Sequence, residues 1–211
     1  MAIKKFIFAI TAVVVLTALL IYTPSSASRA KPMETLKKPI TEVVSLLNNP
    51  EYKDKKELQY DKIREIIRGI FDYPTITKLA LGKYRKSFSK EQLNKLTDLF
   101  GQLLSKVYIS KIQSQYSNEK VVFINQDMLT DTKALVKTKI IRDNGDVPVN
   151  YSMRYRKSRW IVYDINIEGI SLVKNYRTQF TKILFKESPD RLIEKVQEKI
   201  KSDKDKTQQL P

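Results

Sequence analysis

Asp164 and Glu168 are the residues whose types and spacing first invite a chemical reading, because two carboxylates can divide general acid and base work. Along an extended strand their separation is about 13 Å, too far for the usual glycosidase pair. Glu168 stands before Gly169, where a negative charge suits a turn or the N-terminal end of a following helix. Asp164 is expected to accept local hydrogen bonds. The chain has no Cys and no His. That excludes disulfides, Cys or His metal sites, thiol nucleophiles and Ser-His-Asp triads. Only carboxylates, Lys, Tyr and Ser remain for catalysis, and with five glycines no Gly-rich phosphate loop is present. No catalytic residue, metal or cofactor is therefore assigned; a hydrolase using carboxylates or Lys and Ser is kept as a contrasting reading.

The elements around these two acids follow from hydrophobic spacing. Ile161, Tyr163, Ile165 and Ile167 alternate with polar residues, the period of a half-buried strand. After Gly169 the spacing becomes Leu172, Val173, Tyr176, Phe180, Ile183 and Leu184, which is helical. Upstream, Met33–Asn49 presents Leu36, Ile40, Val43, Val44 and Leu47 on one face and stops at Pro50. A second helix is expected from Lys56 to Phe71 and a short third from Pro74 to Leu81. Ser89 with Gln92 forms a capping box that opens a long helix to about Tyr116. Strands are expected over Val121–Gln126, Lys133–Arg142, Val147–Arg156 and Trp160–Ile167. Asn144-Gly145 and Lys157-Ser158-Arg159 supply the turns. Helices Ser171–Lys186 and Pro189–Lys201 end the chain, with 201–211 as a frayed tail. Helices segregated from an antiparallel four-stranded meander make an α+β domain.

The N-terminus sets the compartment. Lys4 and Lys5 precede an apolar run from Phe6 to Tyr22, and Ser25 and Ala27 give a small-residue end. This predicts a signal peptide over 1–27 with cleavage after Ala27, and a single exported domain over 28–211. A retained anchor is the competing reading, for which the run is short against the ~20 residues of a spanning helix. The net charge is +16. Inside a cell that would suggest nucleic acid; export argues against this partner and leaves anionic lipid surfaces or acidic proteins.

The segment Tyr163-Asp164, Glu168-Gly169-Ile170-Ser171-Leu172-Val173, Asn175-Tyr176-Arg177 and Gln179-Phe180 resembles the signature of the MlaC-type, or toluene-tolerance, family. Asp72-Tyr73-Pro74 and Leu79-Ala80-Leu81-Gly82-Lys83-Tyr84 resemble a second family block. The resemblance covers about Pro32 to Lys199. It implies a periplasmic phospholipid carrier, with a sheet like that of nuclear transport factor 2 and about six to seven helices, some forming a helical subdomain alongside. It also implies partners: a phospholipid ligand, an inner-membrane ABC transporter complex with a ring of lipid-channel domains, and an outer-membrane lipoprotein–porin complex. The carrier is expected to act as a monomer. A related branch implies hopanoid-type lipid as an alternative cargo.

The apolar face of the strands offers Val149, Tyr151, Met153, Tyr155, Trp160 and Tyr163. The helices offer Phe100, Leu103, Leu104, Val107, Tyr108, Leu172, Val173, Tyr176 and Phe180, with Phe71 and Tyr73 from the second block. Composition alone allows these to form a solid core, which would suit an exported basic adaptor. The resemblance implies that they enclose acyl tails in a central apolar cavity. Arg177 and Lys174, the nearest cations in the signature, are the candidates for a head-group rim.

Overall fold

The computed structural model describes residues 31–207 apart from Asn144, with side chains described to 202. The expected signal peptide and Asn144 of the expected Asn-Gly turn lie outside these residues. The described chain runs α1 (Pro32–Asn48), α2 (Lys56–Ile70), α3 (Tyr73–Leu81), α4 (Lys90–Gln115), β1 (Lys120–Thr130), β2 (Lys133–Ile141), β3 (Val147–Arg156), β4 (Arg159–Ile167), β5 (Ile170–Ser171), α5 (Leu172–Leu184) and α6 (Pro189–Thr207). The sheet is antiparallel in the order β1-β2-β3-β4-β5. The α+β class agrees with the sequence reading; the sheet has five strands where four were expected.

Local chemistry explains most of the element ends. The Ser89 hydroxyl accepts from the Gln92 amide at 3.1 Å and the Gln92 side chain accepts from the Ser89 amide at 3.0 Å, so the capping box opens α4 as expected. Asp72 caps α3 and Pro74 occupies its first turn. Helix α6 continues past the expected end at Lys201, since no Gly or Pro interrupts the polar run before Thr207. Strand β1 is longer than expected. Its register slips between Phe123 and Asn125 and again between Met128 and Thr130, so Ile124 and Leu129 bulge out at this open edge.

The extra strand comes from the segment around Gly169. Glu168 and Gly169 both have positive φ, 50° and 85°. They form a two-residue turn that pairs Ile167 with Ile170, and glycine adopts its half of that turn without steric cost. The chain thus doubles back as β5 before α5 begins. Lys157 and Ser158, with φ of 48° and 61°, make the same kind of turn between β3 and β4.

A second irregularity changes which residues share a face. Ser152 pairs with Asp164 but Met153 pairs with Val162, so Tyr163 is the extra residue of a bulge. The expected alternation of Ile161 and Tyr163 with Ile165 and Ile167 therefore does not hold. Directly opposed residues of an antiparallel pair share a face. Trp160, Val162, Ile165 and Ile167 lie opposite Tyr155, Met153, Tyr151 and Val149.

Two closed cores result. One joins α3, α4, α5 and α6 through Ile76, Leu96, Phe100, Leu103, Val173, Tyr176, Phe180 and Leu192. The other joins the sheet to the start of α1 through Ala134, Val136, Met153, Trp160, Val162 and Leu36. Phe71 packs against both, and its backbone bridges to Val162. Beside it, Asp72 ties helix to sheet. Its amide donates to the Val162 carbonyl at 2.9 Å. Its carboxylate accepts from the Thr75 hydroxyl at 2.7 Å and meets Arg154 Nη2 at 2.6 Å. Asp72 is buried, so removing it leaves Arg154 without its partner in a poorly solvated place. Asp72→Ala is expected to cost about 3 kcal/mol from the lost ion pair and cap. Thermal unfolding should show this as a drop of roughly 10 °C; an unchanged midpoint would refute the tie.

Candidate functional site

Between the two cores lies a cavity of about 330 Å³, within the size range of small-molecule sites. Helix α1 contributes Pro39, Ile40, Val43, Val44 and Leu47; α2 contributes Ile67 and Ile70; α4 contributes Leu104, Tyr108, Ile109 and Ile112. The sheet supplies Val121, Ile140, Val147, Val149, Tyr151, Ile165 and Ile167, and Ile76 and Leu172 close the wall. Charged and polar residues enter the lining mainly where α4 ends and β2 ends: Lys111, Gln115, Tyr116, Glu119 and Arg142. Gln115, Glu119 and Arg142 also line an adjoining polar groove with Ser117, Asn118, Ile141 and Asp143. The site is therefore amphipathic, an apolar chamber opening into a polar mouth.

Helix α1 forms one side of the chamber under unusual conditions. Pro39 sits inside the helix, where it removes one i→i−4 hydrogen bond. Beyond it, Val43, Val44 and Leu47 are only half-buried although apolar, because they face the open space. Gln59 holds this half in place. Its amide donates to the Leu46 carbonyl at 2.9 Å, and its carbonyl accepts from Gln113 of α4 at 2.8 Å.

The expected lining residues divide. Phe71, Tyr73, Leu104, Tyr108, Val149, Tyr151 and Leu172 line the cavity. Phe100, Leu103, Val173, Tyr176 and Phe180 lie instead in the closed helical core, with Val107 half-buried against it. The Phe100 ring meets Tyr176 edge-on at 4.8 Å and Phe180 at 5.0 Å between centroids, which leaves no room for a ligand. Met153 and Trp160 belong to the sheet core and Tyr155 packs on it. Tyr163 is displaced by its bulge and is not among the lining residues.

The two proposed rim cations are also elsewhere. Arg177 Nε donates to the Leu79 carbonyl at 2.7 Å, where it satisfies the end of α3. Its stem lies 3.6 Å from where a Cβ of Gly82 would stand, and Gly82 has φ of +55°, so glycine is required there. Lys174 is exposed on α5 and absent from the lining. The polar mouth was not anticipated, because its members come from a helix end and two strand ends with no common spacing. The α1 stripe was legible as Ile40, Val43, Val44 and Leu47, but only as a buried face.

Asp164 and Glu168 are structural. The Asp164 carboxylate accepts from the Ser171 hydroxyl at 2.6 Å and from the Val173 amide at 3.0 Å, at the positive end of α5. The Ser171 oxygen in turn accepts from the Lys174 amide at 3.0 Å. Glu168 is part of the turn itself, and its amide donates to the Pro148 carbonyl at 3.0 Å. Among the described residues no group of acids could hold a metal ion, and no helix is long and apolar enough to cross a membrane.

Fold and site define an α+β domain built around an amphipathic chamber. The chain belongs to the MlaC family, whose model matches residues 37–198. It is 28% identical over 193 residues to the intermembrane phospholipid transport system binding protein MlaC of Haemophilus influenzae, covering 87% of this chain and 88% of that one. It is 26% identical over 135 residues to a toluene tolerance protein of Pseudomonas putida, covering 63% of this chain and 62% of that one. Its fold matches a solved phospholipid-binding protein from Ralstonia solanacearum, in complex with a phospholipid, with a TM-score of 0.72 and 22% identity. That match covers 82% of this chain and 99% of the other.

Burial pushes the Tyr151 phenol up to about 12, against a hydrogen bond with Thr138 that acts the other way. Burial also raises Tyr73 and Tyr108. These three phenols of the wall are thus uncharged at neutral pH. The fold favours the protonated phenol, so Tyr151 contributes its full stability below pH 10 and loses it as pH rises through about 12. Tyr151→Phe should remove the latest part of the phenolate absorbance change and flatten the loss of stability between these pH values. A variant that still shows the late transition would overturn this assignment.

Proposed function

We propose that this chain is a periplasmic carrier that holds phospholipid tails in its apolar chamber and moves lipid between an inner-membrane ABC transporter complex and an outer-membrane lipoprotein–porin complex. The observation that carries this reading is the joining of the aliphatic chamber to a polar mouth, the shape of an amphiphile with tails inside and head group outside. Membership of the MlaC family and the phospholipid named for two of its relatives point the same way. The two acids of catalytic type, Asp164 and Glu168, are used in a helix cap and a turn, which supports a binding protein rather than an enzyme.

The energetics support a carrier. At ~0.8 kcal/mol per methylene, two acyl tails would cost on the order of 20 kcal/mol to expose to water. A dry chamber removes that barrier. The chamber also gains from its cargo. At ~24 cal/mol per Å³, an empty apolar space of 330 Å³ costs at most about 8 kcal/mol, comparable with the whole stability of a domain. A ligand that fills it recovers much of this. The walls that must yield to admit longer tails include the half of α1 beyond Pro39.

Protein purified from a bacterial host is expected to carry phospholipid, seen by native mass spectrometry and in the solvent extract, and to melt at lower temperature once delipidated. Leu104→Trp and Val149→Trp should lower lipid occupancy while leaving the delipidated protein folded. An apo mass with no lipid in the extract would sink the carrier reading. So would destabilisation of both variants by overpacking, about 1–3 kcal/mol in a solid core.

A further inference from the structure

Two buried donors at the mouth of the chamber have no hydrogen-bond partner: Arg142 Nε and the Tyr116 hydroxyl. A third such atom among the described residues, Arg154 Nε, belongs to a guanidinium already engaged by Asp72. Arg142 has only a loose ion pair with Glu119. Glu119 Oε1 lies 3.7 Å from its Nε, beyond hydrogen-bond distance, and Glu119 Oε2 is taken by the Ser117 amide at 2.7 Å. Arg142 and Tyr116 both line the chamber, together with Lys111. Arg142 also lines the polar groove beside it, with Glu119 and Asp143. Buried donors without partners in the chain are rare in folded proteins, and such donors suit a partner from outside it, a water or a ligand oxygen. A planar guanidinium and a hydroxyl donor on the lining of one chamber suit the oxygens of a phosphodiester. The two carboxylates in the same groove would repel a purely anionic head group and attract one that also carries an ammonium.

We propose that the polar groove is a head-group site for a zwitterionic phosphodiester, with Arg142 and Tyr116 donating to the phosphate and Glu119 and Asp143 facing the ammonium. This rests on the carrier reading and gives it a preference among lipids. Asp164 and Glu168, the other acids on the chamber wall, are held by the α5 cap and the β4–β5 turn and stand outside the groove. The site lies apart from Arg177 and Lys174, so it takes over the role first expected of them.

The test offers delipidated protein equal amounts of phosphatidylethanolamine and diacylglycerol with the same tails, in mixed micelles, and reads the bound ratio by native mass spectrometry. The natural chain should favour phosphatidylethanolamine by about tenfold or more. Arg142→Gln with Tyr116→Phe should bring the ratio near one while total lipid occupancy persists. Tyr116→Phe alone removes a hydroxyl with no partner in the protein, so it should leave the melting midpoint unchanged and still lower the ratio; this arm decides the matter if the double variant does not fold. With phosphatidylglycerol as competitor, Glu119→Gln should shift binding away from phosphatidylethanolamine. A ratio near one in the natural chain, or one unmoved by these substitutions, overturns the head-group site and leaves the carrier reading standing. A natural chain that takes up neither lipid overturns both.

Discussion

Two packed cores stand on either side of a space that neither fills, and the rest of the molecule is arranged around keeping them apart. Apolar side chains that face an empty volume gain by moving together. Collapse is resisted where the walls are fixed from behind. The Phe100, Tyr176 and Phe180 rings lock α4 to α5. The Trp160, Met153 and Leu36 cluster locks the sheet to the start of α1.

Polar groups complete the frame at the points where elements change direction. Asp72 joins the start of α3 to β3 and β4. Asp164 joins β4 to the start of α5. Gln59 joins α1 to α2 and α4. Arg177 closes the end of α3 from α5. Each satisfies backbone groups that helix ends or loops would otherwise leave unpaired. Several are residues of chemically capable types, which explains why the segment around Gly169 can look catalytic in one dimension. Their partners are backbone amides and carbonyls, and a carboxylate so engaged is not poised to move protons.

The chamber itself is electrically quiet. Its phenols stay neutral at physiological pH, no histidine is present, and charge is concentrated at the mouth. In the proposed carrier such a site holds its cargo through burial of apolar area, which has no directional demand. Helix α1, with Pro39 inside it, lines the chamber with half-buried aliphatic residues.

Much of this was legible in one dimension. The caps at Ser89 and Asp72, the helical stripes, the strand alternation and the turn residues are local features, decided by side chains within a few residues of one another. They determined the element order, the α+β class and the structural use of Asp164 and Glu168. The site was only partly legible. Phe100, Tyr176 and Phe180 carry the same helical spacing as Leu104, Tyr108 and Leu172, yet the first group lies wholly inside the helical core and the second packs on that core while also lining the chamber. Only the tertiary structure decided this, because it depends on the angle at which helices meet and on where two faces fail to touch. The bulge at Tyr163 reversed the facing of half a strand, and the mouth gathered Tyr116, Glu119 and Arg142 from separate element ends. A periodicity records that a face is apolar; what that face meets is set by distant parts of the chain.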